Sequence, residues 1–341
     1  MKAKRIIRLV VGFLCCALIA TGLAWPQDFY AQGMTAFDAH QFAAAASLFA
    51  KAEAANPGAT DALLLEGKSL ANLERFSEAE QALQQYSARH PDSADALYML
   101  GFVLNRVNKP RESLEVYNRA AKLTVPQSDD LKTVALDYVL LNDYPDAIRW
   151  MKQAVAFDAK NEQAWYGLGR CYYTQSSFAD AQTAFERALA LDPKDAKAAT
   201  NLALTLEMRN QPANADRAYK QAIALADADP RTDQWPYLDY GSFLLDQGRA
   251  ADAVAPLRKA VALAPKCADC HGKLGRALEA TGKFADGVKE LERAVALAPK
   301  DPKLHYALGR AYRSAGMAEK SRQEMALSAK LYGTKDATGR K

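Results

Sequence analysis

Three residues near position 270 have the types and the spacing that could carry out chemistry. Cys267, Cys270 and His271 form the string C-x-x-C-H, in which the two thiols can be attached to a c-type haem whose iron the imidazole ligates. The two cysteines could instead form a disulfide or a redox pair. A third interpretation is that all three side chains pack in a core, where Cys behaves as a small hydrophobe. The choice among these interpretations depends on the structural elements in which the three residues lie.

The rest of the sequence offers no catalytic constellation. The four histidines are scattered along the chain, at His40, His90, His271 and His305. None belongs to a zinc-binding spacing such as H-E-x-x-H. The stretch from Gly275 to Lys283 has the wrong glycine spacing for a phosphate-binding loop. We therefore predict a protein that is not an enzyme and that needs no metal or other cofactor.

The N-terminus has the pattern of an export leader. Its first eight residues contain four bases and no acid, and the charge-free apolar run of residues 9–25 follows. Gly22-Leu23-Ala24 offers a small-residue site for cleavage after Ala24. The apolar run is also at the short end of the roughly 17 to 25 residues that can span a bilayer. We predict that residues 1–24 are a signal peptide or a membrane anchor. The remainder is then exported, either periplasmic or secreted, or anchored to the membrane by this segment.

The charge balance disfavours nucleic-acid binding as the main task. The chain has 44 Lys and Arg against 40 Asp and Glu, and removing the four basic residues of the leader leaves 40 against 40. A neutral domain lacks the excess of cations that phosphate backbones require. Only three cysteines follow the leader, Cys171, Cys267 and Cys270, too few for a disulfide framework.

The chain after the leader is a repeat with a period of 34 residues. Pro57 and Pro91 are 34 residues apart, as are Pro265 and Pro299. Nine repeats fit this register, beginning at residues 26, 60, 94, 128, 162, 196, 234, 268 and 302. The sixth repeat is four residues longer than the period, and the extra residues fall in DADPRTDQWP. This loop is either a tolerated insertion or a hinge or partner contact.

Each repeat has small and large residues at fixed positions. Position 8 is always small: Gly33, Gly67, Gly101, Ala135, Gly169, Ala203, Gly241, Gly275 and Gly309. Position 20 is small as well, and position 24 is large: Phe49, Leu83, Tyr117, Met151, Phe185, Tyr219, Leu257, Leu291 and Met325. This pattern predicts a helical hairpin in which small residues let two helices approach while the large ones fill the space beside them.

The repeat resembles the tetratricopeptide repeat family over residues 26–335. The fifth copy carries the pattern most fully, in Trp165, Leu168, Gly169, Tyr172, Ala181, Phe185, Ala188 and Pro193. The resemblance implies an all-α fold, a right-handed α-solenoid of helix-turn-helix repeats. The expected organisation is repeats one to six at 26–227, an inserted loop at 228–233, repeats seven to nine at 234–335 and a tail at 336–341.

The register bears on the C-x-x-C-H string. Cys270 occupies position 3, which is Ala in repeats two, three, five and six, and His271 occupies position 4, which is usually apolar or aromatic. The register therefore favours packing. A disulfide or redox pair stays open, as does haem, which would displace the first helix of repeat eight from its neighbours.

In the family, the first helices line a concave groove that binds segments of partner proteins. The resemblance thus implies a noncatalytic scaffold or adaptor, which the leader would place in the cell envelope. Its partners would be other proteins or peptide segments.

Positions 2, 5, 9 and 12 of the first helices lie in one stripe by their three- and four-residue spacings. They supply the candidate groove residues Tyr98, Phe102, Tyr166, Arg170, Tyr173, Arg276, Lys303, Tyr306, Arg310 and Arg313. Tyr and Arg are frequent binding anchors, although a simple solvated face is the alternative. The family's Lys and Asn clamp for a terminal carboxylate is not reproduced.

Overall fold

A computed structural model describes residues 26–338, and its side chains from 29 to 333. The predicted leader and the end of the tail lie outside these residues. Within them, every regular element is an α-helix, which confirms the all-α fold. The first helices of the nine hairpins are α1 (Pro26–Asp38), α3 (Ala62–Asn72), α5 (Ala94–Arg106), α7 (Ser128–Leu140), α9 (Glu162–Thr174), α11 (Ala196–Met208), α13 (Trp235–Asp246), α15 (Ala268–Ala280) and α17 (Pro302–Ser314). The second helices are α2 (Phe42–Ala55), α4 (Phe76–Arg89), α6 (Pro110–Ala120), α8 (Tyr144–Phe157), α10 (Phe178–Leu191), α12 (Pro212–Ala228), α14 (Ala250–Leu263), α16 (Phe284–Leu297) and α18 (Ala318–Thr338).

The small and large positions meet inside each hairpin as the sequence pattern indicates. A Cβ atom built on Gly169 would lie 2.7 Å from the ring of Phe185, and one on Gly67 would lie 2.5 Å from Leu83 Cγ. Real Cβ atoms do not approach this closely, so a Cβ added at Gly67 or Gly169 would force the facing side chain or helix to shift. Close approach of the helices therefore depends on the small residue.

The turn inside each hairpin has one left-handed residue, always at position 15. Six of these residues are not glycine and three are: His40, Glu74, Asn108, Asn142, Ser176 and Asn210, then Gly248, Gly282 and Gly316. The left-handed residue lets the following amide turn back onto the first helix. Arg75 N, for example, donates to the Leu70 carbonyl at 2.9 Å, which satisfies a carbonyl at the helix end.

The described residues form two compact units that divide between Ala159 and Lys160. Each unit is a stack of hairpins, four in the first and five in the second. Consecutive first helices pack on one another within each unit, α3 on α5 and α5 on α7, then α9 on α11, α11 on α13, α13 on α15 and α15 on α17. Consecutive second helices make no comparable contacts in the part of the chain that the structure describes. The first helices therefore form the inner surface of each stack.

The insertion in repeat six does not interrupt the stack. Helix α12 has 17 residues, where the other second helices before α18 have 11 to 14. Helix α13 packs against both α11 and α12, so the chain resumes its stacking directly after the loop. The division into compact units falls after the fourth hairpin.

A buried polar cluster joins the third and fourth hairpins. Asp137 of α7 is 0% exposed, and its Oδ1 accepts a hydrogen bond from Asn105 Nδ2 at 2.8 Å. Ser113 Oγ lies 2.6 Å from Asp137 Oδ2 and 2.8 Å from the Gly101 carbonyl oxygen. Burial raises the pKa of Asp137 to about 6, although the hydrogen bonds from Ser113 and Asn105 oppose this rise.

Among the described residues, no helix is long and apolar enough to cross a membrane. The segment predicted to be a signal peptide or an anchor precedes them.

Candidate partner-binding surface and cysteine pair

The two candidate groove residues in the first compact unit lie on α5 and are partly engaged by their own neighbours. The Tyr98 hydroxyl donates to the Thr124 carbonyl at 2.8 Å, and its ring lies 5.8 Å from that of Tyr117. Phe102 is 37% exposed and its ring meets the edge of Phe76 at 6.2 Å. Phe102 therefore leaves an apolar ring edge accessible on the inner surface, while the polar end of Tyr98 is occupied.

The candidate groove residues on α9 in the second unit are also divided between packed and solvent-exposed side chains. Tyr166 packs on Phe185 with 5.9 Å between ring centroids, and its hydroxyl accepts from Asn201 Nδ2 at 3.3 Å. Tyr173 contacts Phe178 at 5.5 Å. Arg170 lies between them on the helix and is exposed. The two tyrosines thus help to pack the hairpin, and Arg170 is the group that faces solvent.

The candidates on α15 and α17 form the most accessible part of the predicted groove. Arg276, Lys303 and Arg313 are exposed, and their side chains make no ion pair within the described part of the chain. Arg310 differs, because its Nη2 lies 3.6 Å from Glu279 Oε1. The four cations of this stripe face only two carboxylates on the same stripe, Asp269 and Glu279. The surface is therefore basic.

An aromatic side chain and a recess accompany these cations. Tyr306 is 51% exposed and lines a recess of about 560 Å³ with Arg313, Ala318, Ser321, Arg322 and Met325. The recess combines a ring, a thioether and two guanidinium groups. Such a surface can hold a carboxylate next to an apolar side chain.

Two partly buried carboxylates, Glu207 and Asp239, lie on earlier first helices of the second unit. Burial raises the pKa of Asp239 on α13 to about 6, Glu207 raises it further, and Lys273 opposes the rise. Glu207 Oε2 also accepts a hydrogen bond from Tyr219 at 2.8 Å. Both carboxylates are therefore partly buried, and Glu207 is already engaged by a neighbouring side chain.

The structure joins Cys267 and Cys270 in a disulfide, with 5.3 Å between their Cα atoms. Cys267 is the N-cap residue of α15, and its Sγ lies 3.0 Å from the backbone nitrogen of Cys270, which donates to it. Cys270 is 0% exposed in the core, as expected for a residue in an alanine position, while Cys267 is partly exposed. Cys171 is free and buried, and burial raises its pKa to about 11.

Both ring nitrogens of His271 are held by protein atoms. Nδ1 lies 2.6 Å from Glu290 Oε2, and Nε2 lies 3.1 Å from the Pro265 carbonyl oxygen. His305 in the next repeat has the same two contacts, to Glu324 at 2.6 Å and to the Pro299 carbonyl at 2.9 Å. The arrangement therefore belongs to the repeat and does not depend on the neighbouring cysteines.

These contacts bear directly on the haem interpretation. Haem attachment through this string would require two free thiols and a free imidazole nitrogen, whereas the sulfurs are bonded to each other and the imidazole is held on both sides. Nothing in the geometry or in the comparisons below supports a haem site. Among the described residues, no cluster of His, Cys, Asp and Glu could hold a metal ion.

The histidine and glutamate pairs are features that the sequence reasoning missed. Their signal was present, because His271 and Glu290 are 19 residues apart and so are His305 and Glu324. Reading each histidine only as a packing residue at position 4 hid this second regularity. The buried Asp137 was missed as well, and its partner Ser113 stands at position 20, where most repeats have Ala.

The family comparison agrees with this architecture. Models described as tetratricopeptide repeat match residues 36–101, 162–195, 184–217 and 244–309. The nine helical hairpins and these matches show the family: the chain belongs to the tetratricopeptide repeat proteins, whose fold serves as a scaffold for protein interactions. The curated proteins compared with this sequence include no match.

Several solved structures share the fold at low sequence identity. A tetratricopeptide repeat protein from Parabacteroides merdae is 18% identical, with a TM-score of 0.54 over 78% of this chain and 97% of that one. PilW, a type IV pilus biogenesis factor, is 23% identical, with a TM-score of 0.52 over 58% of this chain and 90% of its own. A chain in the Cut9–Hcn1 complex gives 16% identity and a TM-score of 0.57, over 83% of this chain and 55% of that one. These likenesses describe the fold.

Proposed function

We propose that this protein is a noncatalytic scaffold or adaptor of the cell envelope that binds segments of partner proteins on its inner surface. The tetratricopeptide fold supports binding to proteins in general. The exposed side chains of α15 and α17 support a site on this part of the inner surface.

The observation that carries the proposal is the set of unpaired cations beside Tyr306. Arg276, Lys303 and Arg313 lack a carboxylate partner in the described chain, and Tyr306 offers an exposed ring next to them. A partner carboxylate would form charge-assisted hydrogen bonds with the guanidinium groups. The segment that fits is therefore acidic and carries an apolar or aromatic side chain for the recess.

Two features support a location outside the cytoplasm. The N-terminal pattern is that of an export leader, and disulfides such as Cys267–Cys270 persist mainly in oxidising compartments. A fusion of residues 1–40 to alkaline phosphatase, which is active only after export, tests this part. Activity that depends on the basic residues of the leader is the expected result, and an inactive fusion would contradict export.

The binding surface is tested by charge reversal at two unpaired arginines. In the R276E/R313E variant, the Arg310–Glu279 ion pair is not itself mutated, so the change removes the two unpaired arginines of the stripe. Binding of a fluorescent peptide with alternating Glu and Phe should weaken by about tenfold or more, and its dependence on salt should diminish. Partners crosslinked in the intact envelope should be recovered less.

A matched control is R258E/R293E, which makes the same charge change on the outer helices α14 and α16, where both arginines are exposed. We expect R258E/R293E to keep peptide binding and partner recovery. Both proteins should retain the helical circular dichroism of the wild type. Equal losses in R276E/R313E and R258E/R293E would mean that overall charge, rather than this inner surface, controls binding.

A further inference from the structure

We propose that the Cys267–Cys270 disulfide is a thiol-exchange site at which a partner dithiol is oxidised. This inference goes beyond the scaffold function and does not depend on the basic surface. It rests on the place of Cys267 in the repeat, on the different burial of the two sulfurs and on what the repeat requires at these positions.

Cys267 occupies a position at which other repeats use an oxygen to cap the first helix. Side-chain oxygens of Ser93, Asn161, Asp195 and Asp301 accept hydrogen bonds from the backbone of the first turn. In repeat eight the acceptor is Cys267 Sγ, 3.0 Å from the backbone nitrogen of Cys270. A disulfide sulfur is a weak acceptor, whereas a thiolate at a helix N-terminus is a strong one.

Reduction therefore improves the cap of α15. The released Cys267 thiolate would accept the same N–H group and would lie at the positive end of the helix, which stabilises a thiolate. Lys266 precedes it in sequence. Asp269 in the first turn opposes it, although Lys273 lies 3.9 Å from this carboxylate. A reduced form stabilised in this way makes the disulfide an oxidant.

The two sulfurs differ in access. Cys267 is partly exposed and Cys270 is fully buried in the core of the second unit. An incoming thiolate can therefore reach the Sγ of Cys267, and Cys270 is the leaving group. The contacts of His271 to Glu290 and to the Pro265 carbonyl fix the chain on both sides of the pair, so Cys270 stays in place during exchange.

The exchange balances with a protein dithiol as the reductant. A partner thiolate attacks Cys267 Sγ, a mixed disulfide forms, the bond to Cys270 breaks, and Cys270 leaves as a thiolate that takes a proton from water. The second partner thiolate then attacks the partner sulfur and releases Cys267 as a thiolate. The partner loses two electrons and gains a disulfide, and the cysteine pair gains the same two electrons.

The repeat does not need the bond to fold. Position 3 is Ala in four other repeats, and Asp caps the corresponding helix in repeats six and nine. The C267D/C270A variant therefore has the capping and packing of an ordinary repeat and no thiol chemistry. It separates a structural role of the pair from exchange.

The first measurement uses glutathione as the probe on the purified protein. The wild type is equilibrated in mixtures of reduced and oxidised glutathione and then alkylated. Mass spectrometry measures the fraction of molecules in which the cysteine pair is reduced. We expect reduction in mixtures set to the poise of an oxidising compartment, with helicity unchanged. A pair that stays oxidised in a large excess of reduced glutathione would overturn the proposal, because structural disulfides resist this reagent.

The second measurement uses single-cysteine variants with glutathione disulfide and iodoacetamide. In C270A, Cys267 should form a mixed disulfide and should be alkylated at pH 6 at least about tenfold faster than in an unfolded peptide spanning residues 264–274 of the same variant. In C267A, Cys270 should react only after denaturation. Equal reactivity of Cys267 in protein and peptide would overturn the proposal. The peptide-binding assay with R276E/R313E is independent of all these outcomes.

Discussion

Asp137 gives a quantitative test of the buried polar cluster. Its carboxyl group is 0% exposed, and burial raises its pKa from 3.8 to about 6. One proton from Ser113 cannot serve both the Gly101 carbonyl and Asp137 Oδ2, although both lie within hydrogen-bond distance of Ser113 Oγ. A protonated Asp137 completes the network by donating to Ser113 Oγ while it accepts from Asn105.

The sign of the pH dependence follows from the raised pKa. A carboxyl group that binds its proton more tightly in the folded state stabilises the fold at low pH, and this stabilisation is lost as pH rises from 3.8 through about 6. The rise in pKa corresponds to about 3 kcal/mol, at about 1.4 kcal/mol per pH unit. Asn at this position can make the hydrogen bonds of the protonated form without ionising. We expect D137N to be more stable than the wild type by about 3 kcal/mol at pH 7, and the difference to approach zero near pH 4.

The assay is urea unfolding followed by circular dichroism between pH 4 and pH 7, together with hydrogen exchange of α5 to α7, because repeat arrays open locally. E115Q is the control, since Glu115 lies on α6 beside the cluster and is exposed. We expect E115Q to stay within about 0.5 kcal/mol of the wild type. A stability difference between D137N and the wild type that stays flat from pH 4 to pH 7 would refute the assignment of a neutral Asp137.

Three further predictions test the repeat geometry by chemical denaturation. Glu74→Gly should stabilise the protein and Gly282→Ala should destabilise it, each by about 0.5 to 2 kcal/mol, because both residues have positive φ. A Cβ on Gly282 meets no other atom within 4 Å, so this substitution tests the backbone conformation alone. Stability shifts of the same sign would contradict this prediction. Gly169→Ala should cost about 1 to 3 kcal/mol, since its Cβ meets the Phe185 ring at 2.7 Å, and an unchanged midpoint would show that the hairpin relaxes freely. His305→Phe should speed hydrogen exchange in α17 and α18 by the equivalent of about 1 to 3 kcal/mol, because it strips the partly buried Glu324 and a carbonyl of their partner. Unchanged exchange would make that pair energetically neutral.

The sequence predicted the hairpins well because the repeat records both sides of each contact. Small residues at position 8 and large ones at position 24 recur with one period, so the pairing of Gly169 with Phe185 could be inferred without coordinates. The left-handed turn was hidden, because position 15 holds His, Glu, Asn, Ser or Gly. There the geometry of two antiparallel helices imposes the conformation, and the residue type only sets its cost.

The candidate binding surface was predicted less completely, because a helical stripe identifies a face but not the neighbours of each side chain. Tyr98 and Tyr166 lie on the predicted stripe, yet their hydroxyl groups bond to Thr124 and Asn201. Arg310 is paired with Glu279, one repeat away, and this contact depends on how far successive hairpins rotate. Arg276 and Arg313 lack such a neighbour, and only the packed structure distinguishes them from Arg310.

The sequence alone does not show whether the two cysteines serve the packing of the repeat or redox chemistry. Cys270 suits the alanine position because it is small, and Cys267 suits the cap position because its sulfur accepts a hydrogen bond. Both observations were compatible with packing, with a disulfide and with redox chemistry. A structural disulfide and a redox pair differ in their response to reduction. Reducing a structural disulfide does not stabilise the helix, whereas a Cys267 thiolate at the N-terminus of α15 is a better cap than the disulfide that it replaces. The equilibrium between the disulfide and the reduced pair therefore depends on how well each caps α15. C267D supplies a cap that does not depend on reduction, and it thereby removes this dependence.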